Sequence, residues 1–162
     1  MLISIQNFLN SGSKNMNVDG SSVSKVFTYS PGSGSACITG LTCLLKDDGT
    51  SSFDKFGAIS GLSNGILITT TISNNTRTIT TIKDNADLCT RFHYNQFGNS
   101  AVLSILSVAT PEGFGNTNNV FVGYLDFPSP VILKDSDSID ITIRDNLTNI
   151  DFLQISCKII QD

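Results

Sequence analysis

Residues 64–88, NGILITTTISNNTRTITTIKDNADL, set isoleucines against threonines on both sides of a short Asn/Thr/Arg break. Successive side chains of an extended chain point to opposite faces, so apolar/polar alternation gives a strand one face to bury and one to leave in water. β-Branched side chains are also stiff at χ1, which favours extended over helical backbone. Two such runs joined by turn residues read as a hairpin. Hardly a side chain in it can do chemistry, so its contribution is to scaffold.

The same period returns along the chain. In SIDITIRD, Ile139, Ile141 and Ile143 share a face opposite Asp140, Thr142 and Arg144, and in VSKVFTYS, Val23, Phe27 and Tyr29 share one with Lys25 as the exception. SACITGLTCLL, DLCTRFHY, AVLSILSV, NVFVGYLDF, PVIL and FLQISCKII are further candidate strands. Between them stand SPGSGS, KDDGTSS, LSNG, KDN, FGNS, TPEGFGNTNN, FPSP and RDNLTN, rich in residues that turn a chain. About eight to ten short strands punctuated in this way read as an all-β protein, an antiparallel sandwich or barrel. SFDKFGAISGL, with Phe53, Phe56 and Ile59 three apart, is the one helix candidate, of about one turn. The expected core holds Ile66, Ile68, Val102, Phe121, Leu125, Ile139, Ile141, Ile143, Leu153 and Ile155.

The 162 residues amount to one domain, long enough to bury a core without metals or disulfides. Residues 17–162 read as a single β-sandwich domain. Residues 1–16 differ: the apolar MLISIQNFL precedes a flexible NSGSKN linker. That segment is either the first edge strand or a docking arm that buries Leu2, Ile3, Ile5, Phe8 and Leu9 on a neighbour. It has no positive n-region and no cleavage site, so the expectation is a protein made in the cytosol. No run approaches the length of a membrane span.

Charged residues are only 15% of the chain, and Ser, Thr and Asn cover the surface in their place. The net charge of -4 and the lack of any basic stripe argue against nucleic acid, whose phosphates are held by clustered Lys and Arg. Cys37, Cys43, Cys89 and Cys157 lack C-x-x-C spacing and read as reduced, buried thiols rather than ligands or disulfides. The sequons at Asn74 and Asn146 read as chance matches.

Catalytic constellations fail one by one. His93, the single histidine, shares a strand side with Cys89 and Arg91 in this reading, too far from Cys89 for a hydrogen bond. Asp135, Asp137, Asp140 and Asp145 lie in a run without the glycine turn of a calcium loop. Asp47, Asp48 and Asp54 come with Gly49, but a β-turn explains DDG without an ion. Glu112 is the only glutamate, and a glycosidase needs two carboxyl groups across a groove. SPGSGS precedes a strand, whereas a phosphate loop opens a helix. The expectation is therefore no enzyme, no cofactor and no metal.

The ordered motifs FTYSP, LSNG, NAD and DSIDITIRDNLT, over about residues 15–158, resemble small jelly-roll structural proteins of tailed-bacteriophage virions, capsid decoration (cement) and head or neck accessory proteins among them. The resemblance implies a jelly-roll sandwich and a non-enzymatic homotrimer on the virion, assembled in the host cytoplasm. Its partners would be the major capsid protein or neighbouring virion subunits, with no nucleic acid and no membrane. Interface residues would come from Leu2, Ile3, Ile5, Phe8, Leu9 and Phe114. Alternatives are a neck or tail accessory protein, or a carbohydrate-binding jelly roll using Tyr94, Phe97, Phe114, Phe121 and Tyr124.

Overall fold

The Ile/Thr stretch folds as its alternation requires. β6 (Ile66–Ile72) and β7 (Asn75–Ile82) pair antiparallel, with Ile72 opposite Asn75 and Ile66 opposite Ile82. Ser73 and Asn74 both take positive φ, 49° and 64°, the two-residue turn whose twist matches that of the strands it joins. Ile66 and Ile68 are buried, while Leu67 and Thr71 on the other face are half-buried.

This structure, a computed structural model, describes residues 2–6, 18–46, 54–57, 59–91, 93–98, 120–150 and 153–161. The remaining strands are β1 (Leu2–Gln6), β2 (Lys25–Tyr29), β3 (Ser35–Lys46), β4 (Lys55–Phe56), β5 (Ile59–Ser60), β8 (His93–Gly98), β9 (Val120–Lys134), β10 (Ser138–Ile143) and β11 (Leu153–Gln161). Among the described residues one helix, α1 (Asn85–Arg91), lies between β7 and β8. The protein is all-β, in antiparallel sheets.

A five-stranded sheet has the order β1-β11-β3-β9-β8, a four-stranded sheet the order β2-β10-β6-β7, and β4 and β5 pair separately. Their buried side chains form one cluster. The five-stranded sheet supplies Ile38, Leu41, Cys43, Leu45, Leu133, Leu153, Ile155, Cys157 and Ile159, and the four-stranded sheet Ile66, Ile68, Ile82, Ile139, Ile141 and Ile143. Two sheets sharing a core between their inner faces, with polar residues alternating outward, make a sandwich.

Of the expected core, Ile66, Ile68, Ile139, Ile141, Ile143, Leu153 and Ile155 are fully buried and Leu125 packs against the cluster. Val102 and the Phe121 side chain lie outside the described residues.

β9 joins two stretches, NVFVGYLDF and PVIL, that read separately in the sequence. Asp126 pairs with Gly40 and Val131 with Ile38, so residues 127–130 bulge out of an otherwise continuous strand. Gly40 is required there, because a Cβ would be driven into the Leu125 carbonyl oxygen.

Two local expectations are corrected. SFDKFGAISGL gives the short strands β4 and β5 instead of a helical turn, since Gly57 at φ 56° reverses the chain between them and buries Phe56. DLCTRFHY is not a strand: its first half is α1. The cause is a reciprocal cap, in which the Asp87 N–H donates to Asp84 Oδ1 at 2.7 Å and the Lys83 N–H to Asp87 Oδ2 at 2.8 Å. Leu88 then faces the core.

Candidate interaction surfaces

The outward face of the five-stranded sheet follows from its register. Ile160 lies opposite Cys37, and Cys37 opposite Ile132, so one row crosses β11, β3 and β9. Cys37 is half-buried, and the two isoleucines are each 54% exposed, a small apolar row near the end of the sheet, beyond the pairings of β1 and β8. The neighbouring position carries a polar cluster. Lys158 Nζ lies 2.7 Å from Asp126 Oδ1 and 5.2 Å from the centroid of the Tyr124 ring. The ion pair is exposed and contributes about 0–1 kcal/mol. It nevertheless places an ammonium over the one carbohydrate-stacking candidate whose side chain is described.

The four-stranded sheet presents a different outward face. Val26, Thr142, Leu67 and Thr81 form one row, and Thr28, Asp140, Thr69 and Thr78 the next. Its polar groups are bonded to each other. Thr28 Oγ1 donates to Asp140 Oδ1 at 2.6 Å, Ser138 Oγ donates to Asp140 Oδ2 at 2.9 Å, and Thr71 and Thr76 hydroxyls lie 3.0 Å apart. Val26 is 56% exposed on the strand at the sheet's edge.

Two carboxylates of KDSDSIDITIRDN, Asp137 and Asp145, build loops. Asp137 accepts the Ser73 N–H at 2.8 Å and the Lys134 N–H at 3.0 Å, tying the β6–β7 turn to the β9–β10 turn. Asp145 accepts three consecutive N–H groups, Ser63 at 3.0 Å, Asn64 at 3.2 Å and Gly65 at 2.7 Å. Its neighbour Arg144 donates through Nε to the Gly65 carbonyl at 3.1 Å and through Nη2 to the Asn64 carbonyl. The motifs LSNG and RDNLT, far apart in sequence, are thus the two halves of one clasp. Asp19 accepts the Ser21 hydroxyl at 2.6 Å and the Ser21 N–H at 2.9 Å, which hold its carboxyl below the usual range. Among the described residues, no group of three or more His, Cys, Asp or Glu is placed to hold a metal ion.

The other residues singled out in the sequence are scattered. Leu2, Ile3 and Ile5 lie in β1, which pairs with this chain's own β11, Leu2 opposite Lys158 and Ile3 opposite Cys157. Phe8, Leu9, Phe114, Glu112, Asp47 and Asp48 lie outside the described residues. Cys89 is in α1, not on a strand beside His93, and His93 opens β8 opposite Tyr124. Tyr94 and Phe97 follow in β8. Cys37, Cys43 and Cys157 are free thiols. Burial pushes the Cys43 thiol up to about 12, and the Cys157 thiol is raised by the same cause. Such thiols are poor nucleophiles and pack as small hydrophobes.

The Ile132 and Ile160 row was missed by period-two reasoning, yet left a trace. In PVIL and CKII the apolar residues stand side by side, which puts one of each pair on the outward face. No helix among the described residues is long and apolar enough to cross a membrane. No protein-family model, curated protein or solved structure matches the chain.

Proposed function

We propose that the chain is a non-enzymatic structural protein of a tailed-bacteriophage virion, a decoration protein that binds the assembled shell, and that its sandwich is a jelly roll. The observation that carries this reading is the strand order. Setting aside β8 at one edge, the sheets run first, eleventh, third, ninth and second, tenth, sixth, seventh, with consecutive strands crossing repeatedly from one sheet to the other. Two interleaved Greek keys give such an order, and viral capsid and lectin domains use it. The described carboxylates Asp137, Asp140 and Asp145 are engaged in hydrogen bonds that build loops and sheet face, which suits a scaffold.

In this reading a neighbouring virion subunit covers the Ile160, Cys37 and Ile132 row. Fully burying an isoleucine contributes about 1.5–3 kcal/mol, and an exposed charge in its place is tolerated by the monomer. The Ile132→Glu, Ile160→Glu double variant should therefore keep its melting temperature but lose binding to assembled shells in a co-sedimentation assay. Undiminished binding would remove this face from the proposal. Because lectin domains share the architecture, a glycan array run beside it decides the alternative. Saturable binding to a sugar would favour the carbohydrate module.

A further inference from the structure

Asn64–Gly65 is the one Asn–Gly step in the chain. This dipeptide is the most prone of all to deamidation, because no side chain on glycine hinders its nitrogen. The Gly65 nitrogen attacks the Asn64 side-chain carbonyl carbon, the Nδ2 group leaves as ammonia with the displaced proton, and a cyclic imide forms. Water then opens the imide to aspartate or isoaspartate. Glycine is imposed by the fold: Gly65 has φ 79°, and a Cβ there would lie 2.8 Å from the Ile82 carbonyl oxygen. The turn therefore carries a chemically labile step that substitution at Gly65 cannot readily remove.

The attack needs the peptide unit between the two residues to rotate until its nitrogen faces Asn64 Cγ. Both ends of that unit are held. Its carbonyl accepts Arg144 Nη2, and its N–H donates to Asp145 Oδ2 at 2.7 Å. The Asn64 side chain is held as well, its Nδ2 donating to the Arg144 carbonyl at 3.3 Å. Rotation breaks the first two, both to charged groups and the stronger for it, and swinging Cγ toward the nitrogen breaks the third.

We propose that Asn64 is a latent deamidation site, held unreactive by the Arg144 and Asp145 clasp and released when this end of the sandwich opens. Once formed, the product keeps the turn from closing. Aspartate at 64 sets a second carboxylate beside Asp145, and isoaspartate adds a backbone carbon among the three amides that Asp145 collects. The site is therefore an irreversible recorder of local opening.

The test is peptide mapping by mass spectrometry of the full chain during incubation at mildly alkaline pH, reading aspartate and isoaspartate at residue 64. Deamidation in the native protein should be slower than in the urea-unfolded chain by about tenfold or more, the scale set by losing charge-assisted hydrogen bonds. Asp145→Asn, shown by circular dichroism to be folded, should approach the unfolded rate. Arg144→Gln, which frees the carbonyl end and leaves the carboxylate, serves if the first variant does not fold. Hydrogen exchange of the wild-type Gly65 amide supplies a reading that needs no variant, with protection expected. Equal rates in native and unfolded chains, an unchanged rate in a folded variant, or an unprotected Gly65 amide would overturn the proposal.

Discussion

Asp145 shows how much one side chain can contribute when it collects three N–H groups that would otherwise face solvent or lie unpaired. A hydrogen bond to a charged group contributes about 1.5–3 kcal/mol net, so Asp145→Ala should cost about 3 kcal/mol or more, a large part of a stability of roughly 5–15. Urea denaturation checks this, and a midpoint within error of wild type would mean that the clasp carries no weight. The buried thiols make a second prediction at this scale. An unfolded thiol ionises near 9, whereas burial holds Cys43 neutral to about 12 and raises Cys157 likewise. Between those values the unfolded chain has lost protons that the folded chain keeps. Stability is therefore intact below about 9 and falls as pH rises, by about 1.4 kcal/mol per pH unit for each thiol. Cys43→Ala should reduce the slope of stability against pH in that window. An unchanged slope would show that the thiol already ionises in the folded protein.

Among the elements, β1 makes the sharpest prediction. It pairs with β11 of its own chain, whose Ile155 and Cys157 are fully buried. Deleting residues 1–14 strips β11 of a partner strand, leaves its edge groups to water and should lower the unfolding midpoint by a few kcal/mol equivalent. An unchanged midpoint with loss of self-association would put this strand in a neighbour's sheet, as a docking arm requires. What was legible in the sequence followed the same local logic. β6, β7 and β10 were legible as strands, but only β10 keeps a strict alternation: in β6 Thr69 and Thr70 are both buried and Ile72 is exposed, and in β7 Thr80 is buried and Ile79 half-buried, because the register shifts after Ile68. β3 was legible too, as SACITGLTCLL, although Leu41 to Leu45 are buried on both faces and lose the period. α1 was missed because KDNADL satisfies a turn reading as well as a capping box, and only the burial of Leu88 separates them. The clasp was half legible: LSNG and RDNLT stood out, but no local rule joins residues about eighty positions apart. The Ile132 and Ile160 row depended on a register set by the extra residue Thr39 in β3 and the bulge of residues 127–130 in β9, which sequence spacing does not show.

At the scale of the whole molecule, the two sheets differ in what they offer outside. The four-stranded sheet presents a face of threonines bonded to one another and to Asp140, with Val26 exposed at its edge. The five-stranded sheet presents Ile132 and Ile160, which gain free energy only by being covered. A protein that occurs once per repeating position of a shell needs such a face and no catalytic centre, because symmetry multiplies a modest contact over the whole lattice. Decoration of the shell thus makes a claim about number as well as about binding. On the proposed reading, quantitative mass spectrometry of purified virions measures that number against the major capsid protein. The account predicts on the order of hundreds of copies per particle, in a fixed ratio to the capsid subunit. About a dozen copies or fewer would move the protein to the neck or tail, and its absence from purified particles would contradict the virion assignment altogether.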